Sequence, residues 1–244
     1  YYNGILQSDY QKYLWYGSLP HMVDFEEEAV VYEQIQKTLD KIIHSDLPMV
    51  KFSPDIVGLI PWILYAISDM DTCNVTKLAE KFSISRWKLT EVLDALTGAE
   101  LLRRIYPYAS HLNQVIKKPS KYLFSAPAFR AIYFRLTSNI ITDENVKWKI
   151  TEDLVAMYLF RIFEKKSNVS ITYDNEQGGA DYIVHFDSTN LIIEVGSWKK
   201  WYIQVIQTMK KVSTKYGIVL SESGLENNAE QNIVKIPLRM FLLI

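Results

Sequence analysis

Apolar residues recur at helical spacing from Ile5 to Tyr16 and again from Glu26 to Ile43, where Val30, Val31, Ile35, Leu39, Ile42 and Ile43 form one stripe. That period predicts amphipathic packing helices. Pro54 suits the first position of a third helix, which passes through Trp62 and Leu64 to Ile67 and stops at the polar pair Ser68-Asp69. The longest apolar run, Ile56 to Ile67, contains Pro61 and falls well short of the roughly 20 residues of a membrane span, so it reads as a buried helix.

From Asn74 to Thr90 a short helical pattern ends, turns and restarts at Ser85, a favourable N-cap. This is the pattern of a helix-turn-helix. Small Ala79 allows close crossing, and Leu78, Ile84, Leu89, Val92, Leu93 and Leu96 supply a shared core. Gly98 reads as the residue that closes the second helix, and Leu101 to Tyr106 as a strand forming a wing. A short strand from Tyr122 and an aromatic helix ending at Arg135 follow, and the polar run Thr142 to Lys147 reads as a module boundary.

Beyond it the rhythm changes to a helix over residues 151–165, strands near 169–173, 180–186 and 191–195, a helix over 199–212 and a strand at 217–220. That alternation predicts an α/β module. The expected fold class is α+β, with a helical segment at 1–70, a winged helix-turn-helix at 71–141 and an α/β domain at 142–244.

Composition agrees with folded modules: 48% of the 244 residues are hydrophobic, with only 9 Gly and 8 Pro. The single Cys73 rules out an internal disulfide framework or a cysteine metal cluster, and with no basic-then-apolar leader the expected location is cytoplasmic, with no membrane partner. A start at Tyr1, inside a Tyr-rich helical pattern, suggests further sequence upstream in a parent protein. Net charge is −1. Between Asn74 and Lys121, however, nine Lys or Arg stand against four Asp or Glu, so basic character concentrates on the helix-turn-helix and wing. Arg86, Lys88, Arg103, Arg104, Lys117 and Lys118 are the candidate DNA-binding residues. Trp87 suits either a core position or base stacking. The four histidines are scattered without ligand spacing.

A second constellation lies in the α/β module. Asp181 and Glu194 sit on strand patterns joined by the short turn Asp187 to Asn190 and can approach each other. Two carboxylates at one sheet end can hold a hard cation such as Mg²⁺, which activates water against a phosphodiester. Glu152, near the expected start of the preceding helix, could join them.

These stretches resemble the C-terminal half of archaeal and bacterial AAA-type ATPases, a domain of unknown function ending in a restriction-endonuclease-like fold. The likeness rests on Tyr13 to Pro20, the helix-turn-helix, Leu101 to Tyr108, Lys118 to Phe124, Thr151 to Val155, the Asp181 and Glu194 strands, and Ile236-Pro237-Leu238. It implies an ATP-binding module upstream, since no Gly-Lys-Ser/Thr phosphate loop occurs in this chain. It also implies the PD-(D/E)XK nuclease signature, with Glu152, Asp181 and Glu194 as catalytic carboxylates and Asp181 and Glu194 as metal ligands. The signature's lysine would fall at Gly196, and Gly179 stands where the family has an acid. Lys199 or Lys200 could substitute only by reaching back from the next helix.

Three functions follow as expectations. The first is a nucleic-acid-binding, regulatory part of an ATPase whose nuclease-like domain is inactive, needing no cofactor of its own. The second is an active Mg²⁺-dependent DNA nuclease, and the third a protein-interaction module that docks on the upstream ATPase module.

Overall fold

A computed structural model describes residues 7–22, 24–25, 27–47, 52–109, 115, 118–135, 144–163, 166–196 and 200–243. The fold is mixed α+β. The chain packs as two compact units: one runs to Arg104 and resumes over Ser120–Leu154, while the other takes Ile105–Pro119 and Val155–Ile244.

In the first unit, α1 (Gln7–Lys12) widens into a π turn at Tyr13–Gly17, and α2 (Glu28–Lys41) does the same at Ile42–Asp46. Val31, Ile35, Leu39 and Ile43 are buried, as the apolar stripe predicts. The next helix, α3 (Pro54–Asp69), has Pro at its first position, where the missing N–H costs nothing. Its apolar run is not buried all round. Ile56, Ile60, Ile63, Leu64 and Ile67 face the core, whereas Trp62 and Tyr65 face solvent.

Two further helices, α4 (Val75–Lys81) and α5 (Arg86–Gly98), are capped by Asn74 and Ser85, whose side chains accept from the amides of Lys77 and Lys88 at 3.1 Å each. Each cap satisfies an amide that has no intrahelical partner. The helix ends also share one device. Ser83 (φ 54°) and Glu100 (φ 56°) adopt the left-handed conformation, and the amides of Ile84 and Leu101 reach back to the carbonyls of Ala79 and Leu96. These are Schellman turns. Gly98, expected to close α5, is instead its last helical residue, because buried Leu101 anchors the turn and places Glu100 at the left-handed position.

Strand β1 (Leu102–Pro107) follows, and its first half lies beside β2 (Lys121–Phe124). Helix α6 (Pro127–Arg135) is almost wholly buried, including Arg130. The long helix α7 (Glu144–Phe163) starts well before the expected Thr151, so part of the polar run 142–147 is helix rather than linker. Val146 and Ile150 are buried, and Lys149 pairs with Asp69 and Asp71, which ties this turn into the first unit. That is why the division falls inside a helix and not at residue 142.

At the centre of the first unit Arg130 donates to Asp153 through Nε (2.5 Å) and Nη2 (2.9 Å) and to the Ser68 carbonyl through Nη1 (2.5 Å). Asp153 also accepts the Phe124 amide at 3.0 Å. Burial pushes the Asp153 carboxyl up to about 6, against the pull of Arg130 and the Phe124 amide.

In the second unit the end of β1 pairs in parallel with β3 (Ser170–Tyr173), and β4 (Tyr182–His185) joins β3 and β5 (Asn190–Val195) in an antiparallel meander. Helix α8 (Lys200–Val212) then carries the chain to β6 (Tyr216–Ser221), which is parallel to β5. Two strands beyond those that the sequence pattern predicts, β7 (Glu226–Asn228) and β8 (Ile233–Pro237), follow, with β8 parallel to β6 and β7 antiparallel to β8. The chain then turns into the short α9 (Leu238–Phe241). Helix α8 packs on this sheet through Val205, Met209 and Val212 against Ile183, Ile192 and Ile233. A Cβ at Gly217 would come within 2.4 Å of Val205, so the helix lies close to the strands because residue 217 has no side chain. No described helix is long and apolar enough to cross a membrane.

Candidate nucleic-acid interface and carboxylate pair

The first turn of α5 gathers the clearest exposed chemistry in the first unit. Leu89, Val92, Leu93 and Leu96 point inward, which sets Trp87 on the opposite, outward side of a helix of period 3.6. Trp87 is 72% exposed, so it is no core residue. Arg86 is exposed, and Lys88 is half-buried, bound to Glu91 at 2.6 Å with its ammonium 5.9 Å from the Phe52 ring centre.

The other basic residues of this stretch serve several roles. Arg103 and Arg104 are half-buried on β1; Arg104 bonds Ser120 Oγ (3.2 Å), lies 3.7 Å from Asp94 and sits over the Tyr122 ring. Lys121 is buried and bonds Glu152 at 3.0 Å. Lys118, in the second unit, donates to Asn175 Oδ1 at 2.9 Å. Lys117 lies outside the described residues. A basic count in sequence thus resolves into a few outward charges and several structural ones.

The carboxylates expected to form a nuclease site divide between the two units. Glu152 belongs to the first, two turns into α7 and not near its start, and is engaged by Lys121. In the second unit the antiparallel register sets Asp181 opposite Glu194, with side chains on the same face. The two carboxylates meet the strands themselves: the Asp181 amide donates to Glu194 Oε2 at 3.2 Å, and the Val195 amide donates to Asp181 Oδ2 at 3.0 Å. This reciprocal pair locks the open end of the β4–β5 ladder. Among the described residues no group of three or more His, Cys, Asp or Glu could hold a metal ion. Gly196, where the nuclease resemblance would put a lysine, is buried and donates its amide to the Leu220 carbonyl. Lys199 and the side chain of Lys200 lie outside the described residues.

Gly179, where the resemblance would put an acid, lies against Asp174: a Cβ there would come within 2.5 Å of the Asp174 carboxyl carbon. Buried Asp174 accepts from Thr208 Oγ1 (2.8 Å) and Lys211 Nζ (2.6 Å), and Thr208 in turn accepts the Ala180 amide. Burial works against the charge on Lys211, but Asp174 and Glu176 outweigh it and hold the ammonium above its ordinary value. No pattern in the sequence announces this cluster, because Asp174 and Lys211 are far apart along the chain and no local spacing joins them.

The sequence reads His185 as surface or core, and it is half-buried in a cross-strand ladder. Thr172 Oγ1 and Asn190 Oδ1 each lie 2.7 Å from one of its ring nitrogens, and Tyr108 stacks on the ring. Burial lowers its pKa, with Asn190 pulling the other way. His21 and His44 are exposed.

The chain belongs to the family described as a domain of unknown function (DUF8612), which matches residues 7–139. It is 33% identical over 248 residues to an uncharacterized protein, MJ1637, of Methanocaldococcus jannaschii, a match covering 100% of this chain and 51% of that protein. The chain therefore spans about half the length of this relative. No solved structure matches it.

Proposed function

We propose that this chain is the nucleic-acid-binding and regulatory part of a longer, cytoplasmic AAA-type ATPase, with α4, α5, β1 and β2 acting as a winged helix and the second unit as a nuclease-like scaffold without catalysis. The observation that carries the reading is the first turn of α5, where Arg86 and Trp87 project from a rigid, doubly capped helix pair. In helix-turn-helix proteins this turn of the second helix is the part that meets nucleic acid. Exposed cations on a fixed helix suit phosphates, which position a protein without selecting a sequence.

Loss of catalysis is supported by the Asp181 and Glu194 carboxylates, which bind strand amides, and by Gly196 in place of a lysine that would activate water. The relative of about twice this length has room for a further module of similar size. The ATP site, in this reading, belongs to such a module and not to this chain.

Fluorescence anisotropy of labelled duplex DNA at low salt tests the reading. Weak binding that falls as salt rises is expected, and Arg86→Glu combined with Lys88→Glu should abolish it while thermal melting stays near the parent's. Absence of binding by the unmodified chain to duplex and single-stranded DNA alike, or binding untouched by the double substitution, overturns it. A second reading, docking to a protein module, is favoured by Trp62 and Tyr65, one turn apart and exposed on α3. Binding of a separately produced nucleotide module to this chain, lost on Trp62→Ala, would support that alternative.

A further inference from the structure

Trp87 is the observation that reaches furthest. At 72% it is more exposed than Trp62 (62%) or Leu225 (64%), and it stands on a well-packed helix, not on a loose loop. Leaving most of an indole in water forgoes the stabilisation that burial of a large aromatic brings. Nothing in the fold requires an indole there, since a polar residue would satisfy the same solvent-facing position.

Its surroundings select the chemistry of a partner. From Lys81 to Thr90 there is no carboxylate, while Lys81 and Arg86 are exposed and Lys88 is half-exposed. Exposed Glu80 stands just before this stretch, on α4, and Glu91 and Asp94 follow farther along α5. Charge is therefore sorted along the helix, and a polyanion is met favourably only by its first turn. A flat aromatic face flanked by cations suits a phosphate-linked chain of planar bases. An intact duplex offers only base edges in its grooves, because each base face is already stacked on its neighbours. An indole has one N–H donor with which to read edges, but a whole π face with which to stack.

We infer that Trp87 stacks on an unpaired nucleobase, so that this chain prefers single-stranded nucleic acid, or a single-stranded stretch beside a duplex, over continuous duplex. This rests on the nucleic-acid reading above and adds the substrate class. Stacking on one residue is tolerant of base identity, so little sequence preference accompanies it. Arg86 contributes the salt-dependent part of the affinity and Trp87 the salt-independent part.

The test is anisotropy with the full chain and three labelled probes: oligothymidylate, oligouridylate and a duplex of equal length. One of the two single strands should bind more tightly than the duplex, and the DNA and RNA arms identify the source of the unpaired base. Trp87→Ala should weaken single-strand binding roughly 5- to 150-fold and leave the slope of log K against log salt unchanged. Trp87→Phe should restore most of the loss. Arg86→Gln should instead flatten that slope by about 0.7. The exposed position makes a folding defect in Trp87→Ala unexpected, and an unchanged melting curve checks it.

Failure to bind any probe sinks both the nucleic-acid reading and the stacking role. Binding with no single-strand preference, or with equal loss on duplex and single strand in Trp87→Ala, overturns the stacking role alone. So does single-strand binding that Trp87→Ala leaves intact.

Discussion

At the scale of single residues, buried charge is the most consequential feature. Arg130 is 1% exposed and its partner Asp153 is fully buried, so each charge exists in the interior only because the other faces it. Removing one member leaves an uncompensated ion, and Arg130→Met should cost about 3–5 kcal/mol, seen as a lower denaturation midpoint. Replacing both by apolar residues of similar volume should be far milder, and a double-mutant cycle measures the difference.

His185 makes a separate prediction, about pH. Its folded pKa lies below the ordinary 6.5 because burial disfavours the cation. The unfolded chain then holds more protons than the native one around that value. Stability from this group is present above 6.5 and lost as pH falls below it. Denaturant titrations on either side of that pH should show a loss on acidification that is smaller in His185→Gln; an equal slope in both proteins would refute the assignment.

At the scale of elements, the α4–α5 helix pair is held by its ends. Ser85→Ala removes the bond to the Lys88 amide and should destabilise by about 1 kcal/mol. Glu100→Gly should do the opposite. A side chain in the left-handed conformation costs roughly 1–2 kcal/mol, and glycine's extra freedom when unfolded returns roughly 0.5–1 of that. A net gain approaching 1 kcal/mol is expected from melting of the Glu100→Gly chain. Loss of stability instead would mean that the Glu100 side chain has a role beyond the turn.

At the scale of the whole molecule, the second unit should not cleave nucleic acid. Incubation with supercoiled and linear DNA and Mg²⁺ or Mn²⁺ should leave both intact, because the Asp181 and Glu194 carboxylates are committed to amides of the β4–β5 ladder and Gly196 supplies no cation. Metal-dependent cleavage that vanishes in Asp181→Asn would reverse this conclusion. Thermal melting of that variant separates lost chemistry from lost folding.

The sequence by itself determined the local elements. The 3.6-residue stripe of α2, the Pro at the start of α3, the cap residues Asn74 and Ser85 and the strands around Asp181 and Glu194 are short-range signals, read from neighbours along the chain. Their opposition in one antiparallel ladder was also legible, since a short turn leaves little freedom of register. What tertiary structure alone decided was partnership over long separations. Helical spacing set Trp87 opposite the leucine face of α5, but whether another element covers that side was decided only by how the chain packs around the first turn of the helix. Nor could a count of basic residues separate outward Arg86 from Lys121, which α7 draws into a pair with Glu152. The Asp174–Lys211 contact and the Arg130–Asp153 pair likewise join residues distant in sequence, and such pairings are chosen by how the packed elements meet, not by any pattern within one of them.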